Sequence, residues 1–146
     1  MKIDRRSNDT FSKFLAPAKI NLFLKVKNKR PDGYHNLQSV FQFISLYDEI
    51  LIRVRNDSQI NIKNSSPFVS NKNDIAYKAC KLILTGRDIG VDIEIKKNIP
   101  IGSGLGGGSS DAATVLMALN QLCRLGLSKN KLMELGLKLG ADVPFF

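Results

Sequence analysis

At 146 residues, 43% of them hydrophobic, the chain carries enough apolar material for one folded domain. No window reaches the run of about 18 apolar residues that a membrane span needs. The start, Met1 to Asp9, is polar and lacks a signal-peptide core, so a cytoplasmic protein is expected. The charge of +9 favours a polyanionic partner, either nucleic acid or a phosphorylated small molecule. One histidine and two distant cysteines, Cys80 and Cys123, give no metal-ligand cluster, and the cysteines read as reduced thiols in or near the core.

Phe14 to Lys27 alternates and reads as a strand, with Ile20, Leu22, Leu24 and Val26 on one face. Lys19, Asn21, Phe23 and Lys25 fall on the other, so Lys19 and Asn21 point the same way. Arg30-Pro31-Asp32-Gly33 is a turn signal, followed at once by Tyr34 and His35. Leu37 to Leu46 is apolar and strand-like. Asp48 to Arg55 alternates, with Ile50, Ile52 and Val54 inward. Gln59 to Lys63 is a short edge strand, and Asn64 to Asn73 a polar loop. Asp74 to Thr85 carries a helical stripe of Ile75, Ala76, Ala79, Leu82 and Ile83, and Gly86 stops it. Val91 to Lys96 alternates apolar and charged residues and reads as a strand.

A helix is expected from Asp111 to Cys123, with Ser109 or Ser110 as N-cap, and another over Lys129–Leu139, with Ser128 as N-cap and Gly140 as stop. The last residues, Ala141 to Phe146, read as the start of a further strand, and the chain reads as a fragment. Strands and helices mix without strict alternation, which makes the class α+β.

The informative stretch is Pro100-Ile101-Gly102-Ser103-Gly104-Leu105-Gly106-Gly107-Gly108-Ser109-Ser110. It holds 5 of the 11 glycines. Glycine-rich backbone running into a helix N-terminus is an anion site, because its N–H groups can converge and the helix end is positive. A flexible linker seldom ends in a capped apolar helix. No Gly-Lys-Ser/Thr follows, so it is not a P-loop. Gly102, Gly104 and Gly107 fit G-x-G-x-x-G. The alternating strand before them, and the absence of an acidic-ended strand about 20 residues on, count against a dinucleotide site.

This stretch resembles the ATP-phosphate loop of the GHMP kinases. Pro17-Ala18-Lys19-Ile20-Asn21-Leu22, Arg30–His35 and Leu139-Gly140-Ala141-Asp142-Val143-Pro144 strengthen the likeness, in that order along the chain. Together they are similar to the members of the family in the non-mevalonate isoprenoid pathway, from Leu15 onward and over about the N-terminal half of such an enzyme. The resemblance implies a GHMP kinase N-terminal domain, a ribosomal-protein-like sheet layered with helices. On that expectation residues 1–146 are an incomplete ATP-binding domain whose C-terminal partner domain is absent.

It further implies ATP-dependent phosphorylation, with Mg²⁺, of the 2-hydroxyl of a cytidine diphosphate-linked polyol. Lys19 and Asp142 match the catalytic pair. Lys97, Pro100, Gly102, Gly104, Leu105, Gly106, Gly107, Gly108, Ser109 and Ser110 match the nucleotide site. Asp74 and Ile75 stand where the family commonly has Asn-Leu near the adenine. Asn21, Tyr34 and His35 match the cytidine-substrate site. This reading needs neither nucleic acid nor membrane. The alternative is a basic RNA-binding module of ribosomal-protein-like fold, for which the charge of +9 would serve phosphate contacts.

Overall fold

A computed structural model of the chain describes residues 10–69 and 73–146. The described elements are β1 (Ser12–Lys29), β2 (His35–Arg55), β3 (Ile60–Asn64), α1 (Ile75–Ile83), β4 (Gly90–Lys96), α2 (Gly107–Leu122) and α3 (Lys129–Leu139), closed by a 3-10 turn, Val143–Phe145. None of the described helices is long and apolar enough to cross a membrane.

Period-2 alternation builds the sheet. Ile50 and Ile52 of β2 and Val91, Ile93 and Ile95 of β4 are all buried on one face. Their sequence neighbours Glu49, Leu51, Glu94 and Lys96 point to the other. The strand order is β1-β2-β4-β3, so the expected edge strand is at an edge. Pairing is antiparallel except between β3 and β4. A parallel pair needs a crossover, and α1 provides it. Ala76, Ala79, Cys80 and Ile83 of α1, with Ala112, Val115, Leu116 and Leu119 of α2, complete the core against the sheet. Each large side chain buried there contributes about 1.5–3 kcal/mol. The result is the expected α+β class, a mixed sheet layered with helices. Cys80 is a free thiol buried in α1, and Cys123 is half-buried at the end of α2.

Several expectations change. Leu37–Leu46 and Asp48–Arg55 are one strand, β2. Register shifts at Pro17/Ala18, Asn21/Phe23 and Val26/Asn28 interrupt the alternation expected along β1, and Leu22 is skipped between Asn21↔Phe41 and Phe23↔Val40. A bulge of this kind kinks the strand and resets which face each side chain takes. Beyond Lys19, every residue of β1 to Lys29 is exposed, so the outer halves of β1 and β2 form a ribbon outside the core.

The N-cap of α2 is Gly106, not Ser109 or Ser110, and its left-handed φ of 73° turns the chain into the helix without a side-chain cap. The two serines lie inside the first turns. The last residues form a 3-10 turn rather than a strand. Pro144 lacks an N–H for a ladder, and the rings of Phe145 and Phe146 pack on Phe41 and Phe43 of β2 at 5.2 and 5.5 Å. Ser128 caps α3 as expected, accepting from the Lys131 N–H, and Asp74 caps α1, accepting from the Ala76 N–H.

Candidate active site

The glycine stretch is the mouth of a cavity of about 590 Å³ between β1, the N-terminus of α1 and the N-terminus of α2. Gly102, Gly104 and Gly106 have φ of 73°, 77° and 73°, while no non-glycine residue between them has positive φ. Alternation in the sign of φ turns successive N–H groups toward one side, the nest geometry that binds anions. The Ser110 N–H already bonds the Gly106 carbonyl, so the intrahelical ladder begins there. The amides of the residues ahead of it in α2 have no intrahelical partner.

The loop is tied at both ends. The Lys19 N–H donates to the Leu105 carbonyl at 3.0 Å, and the Ser103 hydroxyl donates to the Pro100 carbonyl at 2.7 Å. Gly106 is also sterically required: a Cβ there would lie 2.7 Å from Cζ of Phe146 and 3.3 Å from Cε of Lys19.

Beneath the loop are three charges. The Lys97 ammonium donates to Oδ2 of Asp48 at 2.5 Å and to Oδ2 of Asp111 at 2.6 Å. The Lys97 side chain is 10% exposed, Asp111 4% and Asp48 0%. Asp48 is engaged through both oxygens: its Oδ1 also accepts the N–H groups of Asn98 and Ile99 at 2.6 and 2.8 Å, pinning the exit from β4 into the loop. Asp111 is not. Its Oδ1 is buried without a hydrogen-bond partner among the described residues, as is the Ser110 hydroxyl. Burial pushes the Asp111 carboxyl up to about 7, the nearby Lys97 pulls against it, and the Asp48 charge adds to it. Burial alone would lower the Lys97 ammonium, but the two carboxylates outweigh it and hold it above its ordinary value.

The walls bring together most of the residues singled out in the sequence. Lys19, Asn21, Asp74, Ile75, Lys97, Pro100, Ser109, Asp142 and the glycines 102, 104, 106, 107 and 108 all line this one cavity. Lys19 and Asn21 share a face as expected, since the Lys19 ammonium donates to Oδ1 of Asn21 at 3.0 Å. Asp142 stands exposed at the start of the final 3-10 turn. Asp74 is spent locally, accepting from the Ala76 N–H and from Nδ2 of Asn64, both at 2.8 Å.

Four singled-out residues lie elsewhere: Leu105 and Ser110 do not line the cavity, and neither do Tyr34 and His35, which sit at the tip of the ribbon. Sequence reading missed Asp48, although it falls two residues before the inward Ile50 in an alternating strand. It also passed over Asp111, the one acid in the apolar run of α2.

A family model described as the GHMP kinases N terminal domain matches residues 74–146. The chain belongs to the GHMP kinase family. Among curated relatives of this GHMP kinase chain is the 4-diphosphocytidyl-2-C-methyl-D-erythritol kinase of Ruthia magnifica subsp. Calyptogena magnifica. It is 54% identical over 137 residues, which are 92% of this chain and 48% of the relative. The protein of the same name from Mannheimia succiniciproducens is 48% identical over 98% of this chain and 48% of its own length.

A crystal structure of 4-(cytidine 5'-diphospho)-2C-methyl-D-erythritol kinase superimposes with a TM-score of 0.76 at 44% identity, covering 92% of this chain and 48% of that one. Mevalonate kinase of Methanococcus jannaschii shares the fold at a TM-score of 0.66 and 19% identity, covering 90% of this chain and 46% of its own. The chain thus spans about half the length of the curated relatives it matches. Nothing among these relatives supports the RNA-binding alternative.

Proposed function

We propose that this GHMP kinase chain is the nucleotide-phosphate half of an ATP-dependent kinase for the 2-hydroxyl of 4-diphosphocytidyl-2-C-methyl-D-erythritol, acting in the cytoplasm. The observation that carries the reading is one cavity that joins the glycine nest and α2 N-terminus to Lys19 and Asp142. Relatives at about half identity bear the name of that kinase. ATP fits what is there. The nest and the helix end offer N–H donors to phosphate, and the cavity of about 590 Å³ has the size of a small-molecule site. When bound, ATP supplies the phosphoryl group.

The chain's own residues do the rest. Asp142 accepts the proton of the attacking hydroxyl. Lys19, steadied by Asn21, lowers the energy of the alkoxide. The loop amides hold the phosphates in line, which is most of what phosphoryl transfer asks of a protein. Mg²⁺ lacks a comparable fit: among the described residues no group of three His, Cys, Asp or Glu could hold a metal ion. On this reading Mg²⁺ comes with the nucleotide. Asn21, Tyr34 and His35 serve the cytidine substrate, the last two from the ribbon. Residues 1–146 form the N-terminal domain on this reading, and a C-terminal domain completes the substrate cleft.

Three measurements test it. ATP should raise the melting temperature of the chain, and an oligonucleotide should not; the reverse pattern would favour the RNA-binding module. With ATP, Mg²⁺ and the cytidine substrate, residues 1–146 alone should release ADP far more slowly than the Ruthia relative assayed beside them, because they match only 48% of that relative's length. In a polypeptide of the relatives' full length carrying this half, Asp142→Asn should cut turnover ~10²–10⁴-fold while ATP affinity holds. Turnover within about threefold of the parent would remove Asp142 as the base.

A further inference from the structure

The cavity floor is electrically uneven. One cation, Lys97, lies between two carboxylates, Asp48 and Asp111. When both are ionised the group carries one excess negative charge, directly below a loop shaped for an anion. The Lys97 ammonium lies 3.2 Å from where a Cβ of Gly107 would be, so the cation of the cluster sits against the first residue of α2. A polyanion arriving at the nest shares the cavity with Lys97, which attracts it, and with Asp111, which repels it when ionised. The low-dielectric setting strengthens the repulsion.

We propose that Asp111 is the proton acceptor that lets the loop take a phosphate: binding of the anion is accompanied by uptake of one proton at Oδ1 of Asp111. The proposal rests on the nucleotide reading above, and deepens it by naming the group that sets the charge of the floor. The geometry selects Asp111 over Asp48. Asp48 accepts an ammonium and two backbone N–H groups, so both of its oxygens have partners. Asp111 has one oxygen on Lys97 and the other buried and bare. A proton placed there leaves Oδ2 free to keep Lys97, so the floor becomes neutral without moving.

The surroundings agree. Asp111 meets Lys97 from the exit of β4 and Asp48 from β2, and the same cavity carries Lys19 of β1, Asp74 at the head of α1 and Asp142 before the final turn. Of these, Lys97 opposes protonation of Asp111 and Asp48 favours it. The bare carboxyl already sits about 7 before any anion arrives, so an added negative charge moves it up through the neutral range. Ser110, the other buried polar side chain without a partner among the described residues, is the adjoining residue.

The consequence is linkage. Anion affinity should fall up to ~10-fold per pH unit above the carboxyl's free value, until the bound form also ionises. Calorimetric titration with ADP, and separately with pyrophosphate, at pH 8 in two buffers of different ionisation enthalpy counts the protons. The wild-type chain should take up close to one proton more than Asp111→Asn. The phosphates' own ionisation is common to both and cancels.

Infrared difference spectra of the wild-type chain serve as a second measurement if the variant does not fold. ADP should raise the protonated-carboxyl band, and an unchanged band overturns the proposal. Equal proton counts in the two proteins overturn the linkage and leave the nucleotide reading standing. Pyrophosphate binding with proton uptake, but no tighter binding of ADP, supports the linkage and removes the nucleotide. Binding of neither anion to the folded chain overturns both.

Discussion

The strands β1 and β2 run side by side for their whole length, yet their two ends live in different environments. At the inner end, Ala16, Ile50 and Ile52 are 0–1% exposed under α2. At the outer end, Leu22, Leu24 and Val26 are 54–59% exposed. Both ends contain β-branched or large apolar residues at strand spacing. The difference lies in what covers them: α2 packs on the inner halves, and no described element packs on the apolar side chains of β1 in the ribbon. Alternation therefore announces a strand and its two faces; burial is a tertiary fact that it does not contain.

The largest break of this comparison is a core truncation. Ile52→Ala and Leu119→Ala should each cost ~2–5 kcal/mol in urea denaturation, because the rigid sheet–helix interface cannot close over the lost volume. A loss under about 1 kcal/mol at either site would mean that the inner end is packed no better than the ribbon.

Next comes the pH response of the same inner end, where Lys97 lies between Asp48 and Asp111. Asp111 is raised in the folded chain to about 7, against about 3.8 when unfolded. The unfolded chain therefore gives up this proton first as pH rises. Stability from this group is full below pH ~4 and is lost through pH ~7, at up to ~1.4 kcal/mol per pH unit. Urea midpoints measured from pH 4 to 8 should fall in the wild-type chain and fall less in Asp111→Asn. Parallel curves would mean that Lys97 fully compensates the buried carboxyl.

Between the two ends, Gly106→Ala probes the junction. The new Cβ would meet the Phe146 ring at 2.7 Å in a backbone of φ 73° that alanine resists. It should weaken ADP binding ~10-fold or more, about 1.4 kcal/mol, and loosen the turn that carries Asp142. Gly104→Ala meets nothing within 4 Å and carries only the strain of its φ of 77°, so its loss should be smaller. Equal losses would show that ring contact plays no part.

The same contrast explains what was legible in the sequence. The glycine loop, the cap Ser128, and the edge position of β3 depend on near neighbours, and each could be read. Asp48 was legible in part: its parity with Ile50 put it inward, but only the fold shows that Lys97, 49 residues away, answers its charge. The cap of α2 was misread because two serines outrank glycine as caps by side chain, while the loop needs a left-handed residue at that point. The final turn was misread because Phe145 and Phe146 look like strand residues until Phe41 and Phe43 receive them. Tyr34 and His35 were grouped with the site by motif, but the cavity does not extend to the ribbon tip.

The smallest effect is expected at the outer end, and it is the sharpest test of the comparison. Leu22→Ser and Leu24→Ser remove large apolar side chains from β-strand positions, which pattern reasoning alone would score as damaging. Both side chains are already more than half in water, at 59% and 54% exposure, so little apolar area returns to solvent. Leu22 also lies at a register shift, where β2 offers it no partner. What remains is the strand preference of serine against leucine, a fraction of ~1 kcal/mol. Each variant should shift stability by no more than about 0.5 kcal/mol, with an unchanged dependence on urea. A loss of several kcal/mol in the isolated chain would mean that the ribbon's apolar face is covered in solution, and the contrast between the two ends of β1 and β2 would then belong to the single chain only.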